Sequence, residues 1–107
     1  MSKFLKIFLF LSFVFSPFAA SAVTVASWGG AYTESQIKAY VDTYSDPGSI
    51  QFENYNGGLG EVRAQVESGN VAWDVVDVLP DQAITGCDEG LFEDISSLYG
   101  DFTPAPD

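Results

Sequence analysis

The chain has 107 residues, with four basic residues against fifteen acidic ones and no histidine. The lack of histidine excludes a Ser-His-Asp or Cys-His catalytic site within this chain, and it excludes zinc held by histidine. The shortage of Lys and Arg argues against a nucleic-acid partner, because phosphate contacts depend on those side chains. We therefore expect no catalytic residues, no metal site and no cofactor here.

The pattern of residues 1–22 is typical of an export signal. Lys3 and Lys6 precede an apolar segment of nine residues, 7–15, and the small-x-small motif Ala20-Ser21-Ala22 follows. This three-part pattern predicts a secretory signal peptide that is cleaved after Ala22. A membrane anchor is the alternative, but a membrane span needs about 20 apolar residues. The mature protein is therefore predicted to be exported, with no membrane span.

Residues 23–107 hold all fifteen acidic residues and two of the basic ones, so their net charge is −13. Most of this charge is expected to keep an exported protein soluble. Cys87 is the single cysteine, which suggests a missing disulfide partner, an intermolecular bond or a buried free thiol. The last residues, Phe102–Asp107, resemble a linker, so we expect the sequence to be a fragment of a longer protein.

The first predicted unit is a strand followed by an amphipathic helix. Val23–Ala26 is a short β-branched run typical of a strand, and Thr33 with Gln36 predicts a capping box at the start of the helix. The helix is expected to end before Pro47. Its apolar face follows the i, i+3, i+4, i+7 spacing and consists of Ile37, Tyr40, Val41 and Tyr44.

Two further units follow in the same order. Ile50–Asn54 alternates like a strand, and apolar residues at helical spacing predict a helix over 59–66. Asp74–Leu79 is more continuously apolar, as expected for a strand buried on both faces. Pro80 then suits the first turn of a helix at about 81–87.

This β-α-β-α-β-α order predicts an α/β fold with a parallel sheet and flanking helices. The 85 residues after the signal peptide bury only a modest core, so we expect an incomplete lobe. In open α/β sheets, ligands lie outside the carboxyl ends of the strands. The residues expected there form a binding rim rather than a catalytic set: Trp28, Gly29, Gly30, Tyr55 and Asp77.

Each of these residues has a structural alternative. The Trp28 ring attracts ammonium groups, but it could simply pack over the end of its strand. Gly29 and Gly30 permit close approach to a ligand, or they serve only as a turn. A carboxylate inside an apolar strand is costly unless paired, so Asp77 should reach a hydrogen-bond partner or a cationic ligand. Tyr55 is a weaker candidate for ligand contact.

Five motifs occur in order along residues 23–107: VTVASWGG at 23–30, YTE at 32–34, NYNGG at 54–58, WDVVD at 73–77 and GCDEGLFE at 86–93. Together they resemble bacterial periplasmic solute-binding proteins of ABC importers, and within these the spermidine/putrescine-binding branch. The resemblance covers the whole predicted mature chain.

The resemblance implies a type II periplasmic-binding-protein fold, with two α/β lobes that close over a solute. Residues 23–107 would form the N-terminal part of lobe 1, with Trp28 and the adjoining glycines at a ligand-contacting loop and Asp77 at another. It also implies a disulfide between Cys87 and a cysteine beyond residue 107. The implied function is binding, not catalysis. A cationic, polyamine-like solute would be captured in the periplasm and delivered to an ABC permease in the inner membrane.

Two other interpretations stay open on the residues alone. One is an N-terminal fragment of a secreted α/β hydrolase whose nucleophile and base lie further along the gene. The other is a complete small acidic secreted interaction module, which would require residues 23–107 to unfold cooperatively on their own.

Overall fold

A computed structural model describes residues 22–101 of the chain. The predicted signal peptide, except for its last residue, and the segment 102–107 lie outside the described residues. Between residues 22 and 101, no helix has the length and apolar character needed to cross a membrane.

A three-stranded parallel sheet is the centre of the fold. Its strands are β1 (Val23–Ser27), β2 (Ile50–Asn54) and β3 (Val75–Val76), in the order β2-β1-β3. β1 pairs with β2 along its full length, so that Ser27 at its carboxyl end lies opposite Asn54. The predicted α/β class and parallel sheet with flanking helices are confirmed, and the open sheet is compatible with an incomplete lobe.

Each strand is followed by helical structure. The three α-helices are α1 (Gly30–Gln36), α2 (Gly60–Ser68) and α3 (Pro80–Asp88). α1 continues into a π-helical turn at Ile37–Val41, and 3-10 turns occupy Pro47–Ser49 and Ser96–Asp101. α2 and α3 lie where the sequence predicts them, whereas the last 3-10 turn was not predicted.

The first helix begins three residues before the predicted capping box. Gly29 is its N-cap, and the hydroxyl oxygen of Thr33 accepts a hydrogen bond from the Gly29 N–H at 2.8 Å. The prediction of a capping box formed by Thr33 and Gln36 is therefore wrong. Gly29 and Gly30 have φ angles of +82° and +56°, which let the chain turn from strand to helix at once.

β3 is much shorter than the predicted strand Asp74–Leu79, and it is not buried on both faces. Val75 is 52% exposed, and β3 pairs only with β1 within the described residues. Asp74 marks its start, since its carboxylate accepts a hydrogen bond from the Thr24 N–H at 2.8 Å. The apolar run in the sequence indicated a central strand, whereas the structure has a short edge strand.

The core surrounds the carboxyl end of β1. Ala26 and Ser27 are fully buried there, and the other well-buried hydrophobic residues, on the flanking segments, are Val41, Tyr55 and Val62. The predicted apolar face of the first helix is confirmed in part. Val41 is buried, whereas Tyr40 from the same predicted face is largely exposed.

An apolar groove of about 890 Å³ lies along α2, β3, α3 and the segment 90–99. Its lining includes exposed hydrophobic side chains such as Val71 and Leu98. Cys87 also lines it, as an exposed free thiol. Apolar surfaces of this kind in soluble proteins mark contacts with other protein segments.

The packing of α3 gives a test of the fold. Gly86 is buried, and a Cβ atom there would overlap the Phe92 ring, with Cδ2 only 2.8 Å away. We expect Gly86→Ala to lower the free energy of unfolding by about 1–3 kcal/mol through overpacking, outweighing the higher helix propensity of alanine. The measurement is urea denaturation of the full-length protein, including any sequence that follows residue 107.

The matched control is Gly60→Ala at the first residue of α2, where nothing lies within 4 Å of the new Cβ. This variant should raise the free energy of unfolding by about 0.4–1 kcal/mol. A stabilising effect of Gly86→Ala would contradict the described packing of Phe92.

Candidate functional site

The segments that follow the three strands meet at one edge of the sheet. Beyond the β2 ladder, the Tyr55 N–H donates to the Ser27 carbonyl at 2.8 Å. Beyond β3, the Asp77 N–H donates to the Ala26 carbonyl at 3.0 Å. The backbone ladder therefore brings the predicted residues Trp28, Tyr55 and Asp77 to the same edge.

Asp77 is half-buried and is held by neutral hydrogen-bond donors. Gln36 Nε2 donates to Asp77 Oδ2 at 2.7 Å, and the Ser27 hydroxyl lies 3.5 Å from the same oxygen while donating to Gln36 Oε1 at 2.6 Å. Within residues 22–101 the one ion pair joins Arg63 to Glu89. The charge of Asp77 therefore has no cationic partner in the part of the chain that the structure describes.

The Asp77 carboxylate also affects the ionisation of Tyr32. The pKa of Tyr32 is raised above its usual value, first because its phenol hydrogen-bonds to Asp77 and then through desolvation and the nearby negative charge. Loss of the phenol proton would remove the donor and place two negative groups together. The phenol of Tyr32 is thus held in its neutral, donating form beside Asp77.

The aromatic side chains at this edge are linked to one another. The rings of Trp28 and Tyr32 stack with centroids 5.0 Å apart and an angle of 22° between their planes. Trp28 Nε1 donates to the Tyr55 hydroxyl at 3.3 Å, and that hydroxyl donates to the Asp77 carbonyl oxygen. Trp28 and Tyr32 remain 36% and 44% exposed, so aromatic surface next to the carboxylate is open to solvent.

The two glycines differ in their surroundings. A Cβ atom on Gly29 would lie 3.2 Å from Asn54 Cγ, so this position is packed against the protein. A Cβ atom on Gly30 would have no atom within 4 Å. Only the backbone of Gly30 therefore faces open space, while Gly29 is tied to the β2 end.

Four residues at this edge were not assigned a site role from the sequence: Ser27, Tyr32, Gln36 and Gln82. Gln82 Oε1 accepts from the Leu79 N–H at 3.1 Å, and its Nε2 donates to the Gly57 carbonyl at 2.7 Å. Its place as the third residue of a helix opened by Pro80 is a capping signal that could have drawn attention to it. Nothing in the sequence pairs Gln36 with Asp77, because they are 41 positions apart.

The edge offers groups that bind rather than react. It combines a carboxylate held by neutral donors with exposed indole and phenol rings, and both features attract a positively charged group. Among the described residues, no group of three Cys, Asp or Glu side chains is arranged to hold a metal ion.

No family model matches this chain. A gamma-aminobutyric acid-binding protein of Pseudomonas aeruginosa is 38% identical to it over 108 residues. The match covers 92% of this chain but 31% of the relative, so the chain spans about a third of the relative's length. This similarity supports a solute-binding protein. It does not support the polyamine specificity that the sequence motifs suggested.

The contact between Tyr32 and Asp77 can be tested by titration. Asp77→Asn removes the negative charge that opposes a phenolate, so the pKa of Tyr32 should fall toward its usual value. Site-resolved NMR of the Tyr32 ring through alkaline pH measures this. Asp94→Asn is the control. The Asp94 carboxylate accepts its hydrogen bonds from Ser96, so this variant should leave the Tyr32 titration unchanged. An unchanged pKa of Tyr32 in Asp77→Asn would contradict the described contact.

Proposed function

We propose that this chain is the N-terminal part of lobe 1 of a periplasmic solute-binding protein, and that it binds the ammonium group of a small solute. The observation that supports this most is the half-buried carboxylate of Asp77, which has neutral donors and no cation beside it in the described residues. The adjacent Trp28 and Tyr32 rings are stacked and exposed. Similarity to a named binding protein favours this function over the hydrolase alternative.

The energetics favour an ammonium ligand. A partly buried carboxylate loses solvation, and a cation that reaches it supplies the missing countercharge. An ammonium group against a Trp face gains about 0.5–2 kcal/mol, more as water is excluded. A solute that uses both Asp77 and Trp28 therefore gains from charge and from aromatic contact at once.

Two solute classes share the ammonium group. The relative is named for gamma-aminobutyric acid, which carries an ammonium group at one end and a carboxylate at the other. A polyamine such as putrescine carries an ammonium group at both ends. In this proposal residues 22–101 hold one ammonium group of the solute. Residues of the full-length protein outside the present sequence recognise the other end of the solute and so select between the two classes.

The remaining features follow from the same proposal. Residues 1–22 direct export to the periplasm, closure of two lobes traps the solute, and the loaded protein delivers it to an ABC permease in the inner membrane. At the same edge the open backbone of Gly30 contacts the solute, while the packed Gly29 and the buried Tyr55 support Trp28 and the strand ends. Cys87 forms its disulfide with a cysteine beyond residue 107. The apolar groove beside β3 is covered by the rest of lobe 1.

The proposal predicts binding that depends on the ammonium group. Isothermal calorimetry of the full-length protein should detect binding of gamma-aminobutyric acid, putrescine or spermidine. It should detect no binding of butyrate, which lacks the ammonium group. Trp28→Ala and Asp77→Asn should each weaken binding roughly 10-fold or more, the loss expected for one charge-assisted contact.

Tyr44→Ala is the matched control, since this exposed aromatic residue lies after the π-helical turn, outside the hydrogen-bonded edge residues, and should leave affinity unchanged. Equal binding of butyrate and gamma-aminobutyric acid would overturn the ammonium site. Binding of none of the ammonium solutes would overturn the proposed function.

A further inference from the structure

Gln82 joins two of the three loops at the ligand edge. Its carbonyl oxygen accepts from the Leu79 N–H at the start of α3, and its amide nitrogen donates to the Gly57 carbonyl after β2. A side-chain amide is suited to this because it has one accepting end and one donating end. Gln82 is half-buried, so water competes only in part for these bonds.

Gly57 in turn lies against Trp28. A Cβ atom on Gly57 would be 3.5 Å from Trp28 Nε1 and 3.7 Å from Cδ1. The φ angle of Gly57 is +90°, a backbone conformation that glycine adopts without strain. The backbone of the β2 loop thus borders the indole, and the hydrogen bonds of Gln82 tie this loop to the start of α3.

We propose that Gln82 is a positioning residue for the solute site: it fixes the Gly57 loop against α3 and thereby holds the Trp28 indole in its binding orientation. Its role in solute affinity rests on the proposed function, whereas its hold on Trp28 exists without a ligand. Gln82 acts on Trp28 through Gly57, so it need not contact the solute itself.

A purely structural role, capping α3, is the competing explanation, and Gln82→Glu separates the two. A carboxylate keeps the acceptor for the Leu79 N–H, and a negative charge in the first helical turn is favourable. It cannot donate to the Gly57 carbonyl at neutral pH. The variant therefore keeps the cap and loses the loop contact.

The experiment uses the full-length protein without ligand and then with gamma-aminobutyric acid or putrescine, whichever the wild type binds. The first measurement is the Trp28 indole N–H signal and its hydrogen exchange by NMR, assigned with Trp73→Phe. Gln82→Glu should stay folded with at most a small fall in melting temperature, shift the Trp28 signal and speed its exchange. Affinity should fall roughly 3- to 10-fold, because a smaller fraction of the free protein then holds Trp28 in its binding orientation.

Gln82→Met is a second variant of similar length that removes both bonds and should disturb Trp28 in the same way. An unchanged Trp28 signal in whichever variant is folded would overturn the positioning role, even if no solute binds. If the Trp28 signal shifts but affinity stays at the wild-type value, Gln82 does not position the solute site. Failure of the wild type to bind any ammonium solute counts against the proposed function alone, since the ligand-free Trp28 signal still decides the positioning role.

Discussion

The hydrogen bonds around Asp77 connect the segments that form the proposed binding edge. The carboxylate accepts from Gln36 on α1, and the Asp77 backbone joins β1 through the Ala26 carbonyl. Its own carbonyl accepts from Tyr55 after β2. A hydrogen bond to a charged group contributes about 1.5–3 kcal/mol, so the loss of this carboxylate would loosen α1, while the two backbone bonds to β1 and Tyr55 would remain.

The same interactions that order the edge also prepare it for a cation. Neutral donors stabilise the carboxylate without cancelling its charge, which leaves a negative potential beside the Trp28 and Tyr32 rings. The parallel sheet makes this possible, because the carboxyl ends of all its strands lie at one edge. Binding at this edge then needs little rearrangement of the residues that form it.

Much of this arrangement could be predicted from the sequence, where the signal was local. The strand-and-helix order and the positions of α2 and α3 follow from periodicity and from Pro80, and the grouping of Trp28 and Asp77 follows from strand ends. Local sequence signals failed where the structure depends on a partner that is distant in the sequence. Gln36 was assigned to a capping box, but it hydrogen-bonds to Asp77, 41 positions away. β3 pairs with β1 at only two positions, so the apolar run at 74–79 predicted too long a strand.

The most direct test of the central claim is a structure of the full-length protein with gamma-aminobutyric acid or putrescine bound. The account predicts an ammonium nitrogen within about 6 Å of the Trp28 ring centroid, and within hydrogen-bond or ion-pair distance of the Asp77 carboxylate. A solute bound elsewhere, with Trp28 and Asp77 contacting only protein, would contradict it.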